Sequence, residues 1–126
     1  MCIRDSTFSS YNNGITISVN QTNEVLTPLN NSKDTVSSGN VSLATTTTFF
    51  SSASSVGLPD GVEGQIKVFT STSTTGSTTS IAVATAGWKG GSSGTIVIGT
   101  LQGDSCTLQY TNSAWYCIGN NGAIFS

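Results

Sequence analysis

Histidine is missing from this chain, and charge of either sign is scarce. Four Lys or Arg and six Asp or Glu make up 8% of the 126 residues and leave a net charge of -2. An average soluble protein carries about 25% charged residues. Without histidine there is no His-dependent catalytic triad. The few cysteines cannot complete a usual zinc shell without it. The basic residues Lys33, Lys67 and Lys89 are scattered, whereas a phosphate-binding face needs them clustered. That argues against nucleic acid as a partner. No apolar run approaches the ~20 residues of a membrane span, which argues against membrane insertion. Helical periodicity is lacking too: no useful stretch repeats apolar residues at i, i+3, i+4 and i+7.

Ser and Thr instead supply about a third of the residues, while 36% remain hydrophobic and rich in Ile, Val, Phe, Tyr and Trp. Disorder pairs low hydrophobicity with high net charge, and neither holds here. Branched and flat side chains suit a pleated, half-buried surface. The composition predicts an all-β fold with no significant helix, and the length is enough for one domain with its own core.

Residues 7–39 read as an Asn/Ser/Thr-rich partial β segment or linker, with Ile15, Ile17 and Val19 on one face of a short strand. Residues 40–126 read as the β-domain. Within it "NVSLATTTTFFSS", "GQIKVFTSTS", "TSIAVATAGW" and "TIVIGTL" read as strands, and "GLPDG" as a turn with Pro59 in second place. "GWKGGSSG" reads as a flexible loop. "DSCTLQYTNSAWYCIGNNG" reads as a hairpin. Short strands with frequent turn signals predict antiparallel strands in a sandwich- or roll-like domain. The expected core is Ile66, Val68, Ile81, Val83, Ile96, Ile98, Leu108, Tyr110, Trp115 and Ile118.

The carboxylates Glu24, Asp34, Asp60, Glu63 and Asp104 sit in or beside predicted turns. Such residues usually stabilise turns, so they do not form the facing pair a glycosidase needs. The chain reads as a non-enzyme without cofactor or metal. Cys106 and Cys117 lie opposite each other if the hairpin turns at Thr111-Asn112, and diagonally if it turns at Asn112-Ser113. A disulfide requires close, aligned Cβ atoms. Two small buried thiols are the preferred reading and a bridge the alternative. Trp115 is assigned to the core. Trp88, beside the Gly-rich loop, stays open between packing and a sugar-stacking role. Asn20, Asn30 and Asn40 open formal glycosylation acceptors of the kind chance supplies in such a sequence.

Two resemblances add to this. "MCIRDS", back-translated, resembles the end of a transposon adapter used in sequencing libraries. Met1–Ser6 are therefore expected to lie outside the natural domain, in a chain from environmental DNA whose true N-terminus is elsewhere. The stretch from about Val41 to Gly122 resembles the β-structured segments of bacteriophage tail fibres and related virion appendages, including marine ones. The residues that carry the likeness are Leu58, Pro59 and Gly61 of a turn, and Gly64, Gln65 and Lys67 entering a strand. Leu108, Tyr110, Trp115 and Tyr116 of a closing hairpin complete it. Cys106 and Cys117 depart from that pattern. The resemblance implies a virion structural protein, part of a homotrimeric fibre, with host-receptor adhesion to a cell-surface glycan or protein. An ordinary solvent loop is the first reading of "TAGWKGGSSG", and receptor contact at Trp88 and Lys89 the second. The alternative is an extracellular carbohydrate-binding module of a secreted bacterial protein.

Overall fold

The computed structural model describes residues 33–126. Met1–Ser6, the predicted Ile15–Val19 strand, Glu24, Asn20 and Asn30 lie outside the described residues. The fold is all-β. One mixed sheet curls on itself into a half-barrel, and its ten strands form two limbs around a shared core.

The chain alternates between the limbs. β1 (Lys33–Thr35), β3 (Thr47–Phe50) and β5 (Ile66–Ser71) stack in parallel in the odd limb. β2 (Ser38–Asn40), β4 (Ser54–Leu58) and β6 (Thr79–Ala86) stack in parallel in the even limb. Parallel neighbours need a crossover connection, usually a helix. Here the crossover for one limb is a strand of the other. Strands with no helix between them can therefore pair in parallel.

From β7 onward the ladders are antiparallel, apart from a single parallel pair between β6 and β9. β7 (Ser92–Ile98) lies against β6, and β10 (Ile124–Phe125) lies against β7. β8 (Ser105–Thr111) pairs with β5 and with β9 (Ala114–Asn121). The limbs join where Ala86 of β6 meets Trp115 of β9. The antiparallel expectation thus holds for the C-terminal strands, while the first six are parallel. β1 and most of β2 fall in the segment read as a partial β segment or linker.

The core is formed by Phe50, Val56, Leu58, Phe69, Ile81, Val83, Ile96, Ile98, Leu108 and Trp115, with their neighbours. Four expected core residues differ. In β5 it is Lys67 and Phe69 that point inward, both 0% exposed, while Ile66 and Val68 are half-buried on the outer face. Alternation puts either pair inside, because each face of "IKVF" carries apolar atoms. Tyr110 is half-buried at the end of β8. Ile118 is 57% exposed. The β8–β9 register shifts between Thr107 and Leu108, whose partners are Gly119 and Cys117, so Ile118 is the unpaired residue of a bulge.

The expected flexible loop after β6 is short. A 3-10 turn, Gly87–Lys89, is followed by Gly90 and Gly91 at positive φ, and β7 begins at Ser92.

Candidate functional site

Three of the residues that carry the fibre resemblance, Pro59, Gly61 and Tyr110, meet at Trp115. Its indole Nε1–H donates to the Pro59 carbonyl at 2.9 Å. The ring of Tyr110 meets it edge-on, centroids 5.2 Å apart. Gly61 lies so close that a Cβ there would stand 2.8 Å from the indole, which explains the glycine. Gln65 bridges two loops: its Oε1 accepts the Val62 N–H at 3.0 Å, and its Nε2 donates to the Leu43 carbonyl at 2.9 Å. The Pro59 and Gln65 contacts each hold a loop in place.

Lys67 is the most heavily engaged of them. Its Nζ donates to the carbonyls of Ser42 at 2.7 Å and Thr45 at 2.9 Å, and to Thr45 Oγ1 at 3.1 Å. Asp34 lies 3.9 Å away and accepts the hydroxyls of Thr45 and Thr48. Burial lowers the Lys67 pKa from its ordinary value, and Asp34 pulls against that shift. A buried ammonium must be fully hydrogen-bonded, and three acceptors meet that demand. Lys67 therefore pins the loop before β3 to the odd limb.

Other carboxylates are equally committed. Glu63 accepts the Thr111 hydroxyl and the Asn112 N–H, capping the turn between β8 and β9. Asp104 is buried, and its Oδ2 accepts the N–H groups of Gly99 and Leu101. Asp60 is exposed. Among the described residues no group of three His, Cys, Asp or Glu could hold a metal ion.

Trp88 and Lys89 are neighbours on the 3-10 turn but differ in role. Trp88 is half-buried, meets Phe125 edge-on with centroids 4.9 Å apart, and donates its Nε1–H to the Ser126 carbonyl at 3.3 Å. A Cβ at Gly94 would stand 3.0 Å from its ring. The indole thus tethers the C-terminal strand, so its exposed area is reduced and its N–H is taken. Lys89 is exposed.

Cys106 and Cys117 are free thiols. The hairpin turns at Asn112-Ser113, both at positive φ, and the bulge then sets Cys106 opposite Asn120 and Cys117 opposite Leu108. The bridge alternative fails on this register. Cys106 is buried as the preferred reading has it, but Cys117 is exposed. Burial, with Cys117 adding to it, pushes the Cys106 thiol up to about 12.

One open feature was not legible in the sequence. Between the β1–β2 and β3–β4 corners lies a cleft of about 260 Å³. Thr35, Ser37, Ser51, Ser52 and Ser54 line it beside the half-buried ring of Phe49. The Lys33 ammonium stands 6.0 Å from that ring's centroid. Its residues come from two corners that only the parallel stacking brings together. The doublet "FF" was the sole hint, since alternation sends one of the pair outward.

Compared with known proteins, the chain matches no family model, no curated protein and no solved structure.

Proposed function

We propose that the chain is a structural piece of a virion surface appendage, a tail fibre or its equivalent, that assembles as a homotrimer and contributes to host adhesion. One observation carries the reading. Its buried polar groups are spent on holding loops to a nearly uncharged sheet, as with Lys67, Gln65 and Trp115. A scaffold built this way displays surfaces and loops, and performs no chemistry of its own. The resemblance to fibre segments supplies the setting. Light scattering on the purified chain tests the assembly, with a trimer expected and a stable monomer at micromolar concentration overturning it.

Adhesion needs a contact site. Trp88 and Lys89 are the contact offered by the first loop, and the hydroxyl-lined cleft at Phe49 is a second candidate. Aromatic faces and convergent hydroxyls suit a sugar. The cleft also favours a second reading, a carbohydrate-binding module of a secreted bacterial protein. Binding to host cells that survives Phe49→Ala and Lys89→Ala together would remove both contacts. Neighbouring genes separate the two readings: tail genes support the first, a hydrolase domain in frame the second.

A further inference from the structure

The cleft at Phe49 gathers polar groups that the fold does not use. Several hydroxyls of this chain are committed: Thr48 donates to Asp34, Thr79 to the Ser52 carbonyl, and Ser73, Thr75 and Ser77 are linked in a row. In the cleft, by contrast, Thr35, Ser37, Ser51 and Ser52 are exposed, and their hydroxyls bond to no other described residue. Lys33 is unspent as well. Side chains alternate along β1, so Asp34 turns inward to Lys67, Thr45 and Thr48 while Lys33 turns outward. The Lys33 ammonium forms an ion pair with no described carboxylate, and the Phe49 ring lies 6.0 Å from it. Thr35 and Phe49 are partners across β1 and β3. Ammonium, half-buried ring and free hydroxyls therefore stand at one corner. That corner is braced from behind, because the Ser52 carbonyl accepts the hydroxyls of Ser54 and Thr79.

We propose that this cleft binds an anionic sugar residue at the end of a glycan, with the acid group of the sugar on Lys33. This rests on the adhesion reading above and names the ligand of one of its contacts. Each part of such a residue has a counterpart. The apolar face of the sugar ring meets Phe49, and its hydroxyls meet those of Thr35, Ser37, Ser51 and Ser52. Its acid group meets the one unpaired ammonium, and no carboxylate lines the cleft to repel it. A neutral sugar would leave Lys33 unused, and a bare anion would leave the ring and the hydroxyls unused. The volume of about 260 Å³ lies just below the ~300–1,000 Å³ of small-molecule sites, which suits a single terminal residue. Lys33 is exposed, and exposed ion pairs are weak and screened by salt. The preference for the anionic sugar is therefore modest, about fivefold at low salt.

Titration of the full chain with glucose, glucuronic acid, glucose 6-sulfate and acetate, followed by amide NMR shifts, tests it. Both acidic sugars are expected to bind about fivefold more tightly than glucose at low salt, and acetate far more weakly than either. The shifts should fall on Thr35–Ser37, Phe49 and Ser51–Ser54. Lys33→Gln should bring the acidic sugars down to the affinity of glucose, and added salt should do the same. Phe49→Ala should weaken all three sugars. Should that variant unfold, the shift map of the wild type still places the ligand. Glucose binding in the cleft as tightly as glucuronic acid overturns the anionic preference and leaves the cleft as a sugar contact. Acetate matching glucuronic acid, or shifts confined to residues outside the cleft, overturns the site. Binding of none of these sugars overturns the cleft as a sugar site altogether, while the fibre reading stands or falls separately on light scattering.

Discussion

Lys67 shows how a charged side chain comes to occupy a core position. It is 0% exposed, yet its ammonium reaches two carbonyls and a hydroxyl beyond the sheet. Removing it orphans these acceptors and leaves Asp34 without its cation. Lys67→Met is expected to cost about 3 kcal/mol, the low end for breaking a buried pair, since Asp34 is partly exposed. Urea midpoints measure it. The lowered pKa adds a pH signature. Between that lowered value and 10.5 the unfolded chain binds more protons than the folded one, so this group makes stability rise with pH. The wild type should show that slope relative to Lys67→Met, and parallel curves would refute it. Cys106 acts in the opposite sense. Its thiol is raised from 9.0 to about 12, so its contribution is complete below 9.0 and is lost as pH climbs towards 12. In a Cys2→Ser chain, a thiol reagent at neutral pH should label Cys117 quickly and Cys106 only on unfolding. Equal labelling of the two would contradict their burial.

At the scale of elements, the β8–β9 hairpin carries the anchor. Trp115 is fully buried and held at both edge and N–H. Trp115→Ala is expected to cost roughly 3–5 kcal/mol, and a loss under 1 kcal/mol would be inconsistent with this packing. Its turn holds a correctable weakness. Ser113 adopts φ 63°, a left-handed conformation that glycine accepts without strain. Ser113→Gly should therefore stabilise by about 0.5–1 kcal/mol, read as a higher thermal midpoint. The loss of stability instead would show that the serine side chain is needed there.

For the whole molecule, alternation between limbs has a kinetic consequence. Lys33 pairs with Thr47, Thr47 with Val68 and Ser54 with Thr79, so none of the first five strands pairs with its immediate successor. Every such pairing closes a loop before it is rewarded. Refolding is expected on the millisecond-to-second scale of non-local β proteins, followed by Trp fluorescence in stopped flow. A microsecond phase carrying the full amplitude would contradict this topology. Few exposed charges also leave little for salt to screen, so stability should change little with ionic strength.

Composition and alternation alone determined the all-β class, the burial of Ile81, Val83, Ile96, Ile98, Leu108 and Trp115, and the hairpin that carries the last two. Those residues were legible because their strands have one apolar and one polar face. "IKVF" has apolar atoms on both faces, so only the contacts of the Lys67 ammonium decided which face turns inward. Parallel pairing and the Phe49 cleft were likewise invisible, since both depend on residues 14 or more positions apart meeting at a corner. Local pattern sets which residues prefer a sheet. Register between distant strands, decided by the packing of the finished core, sets which of them meet.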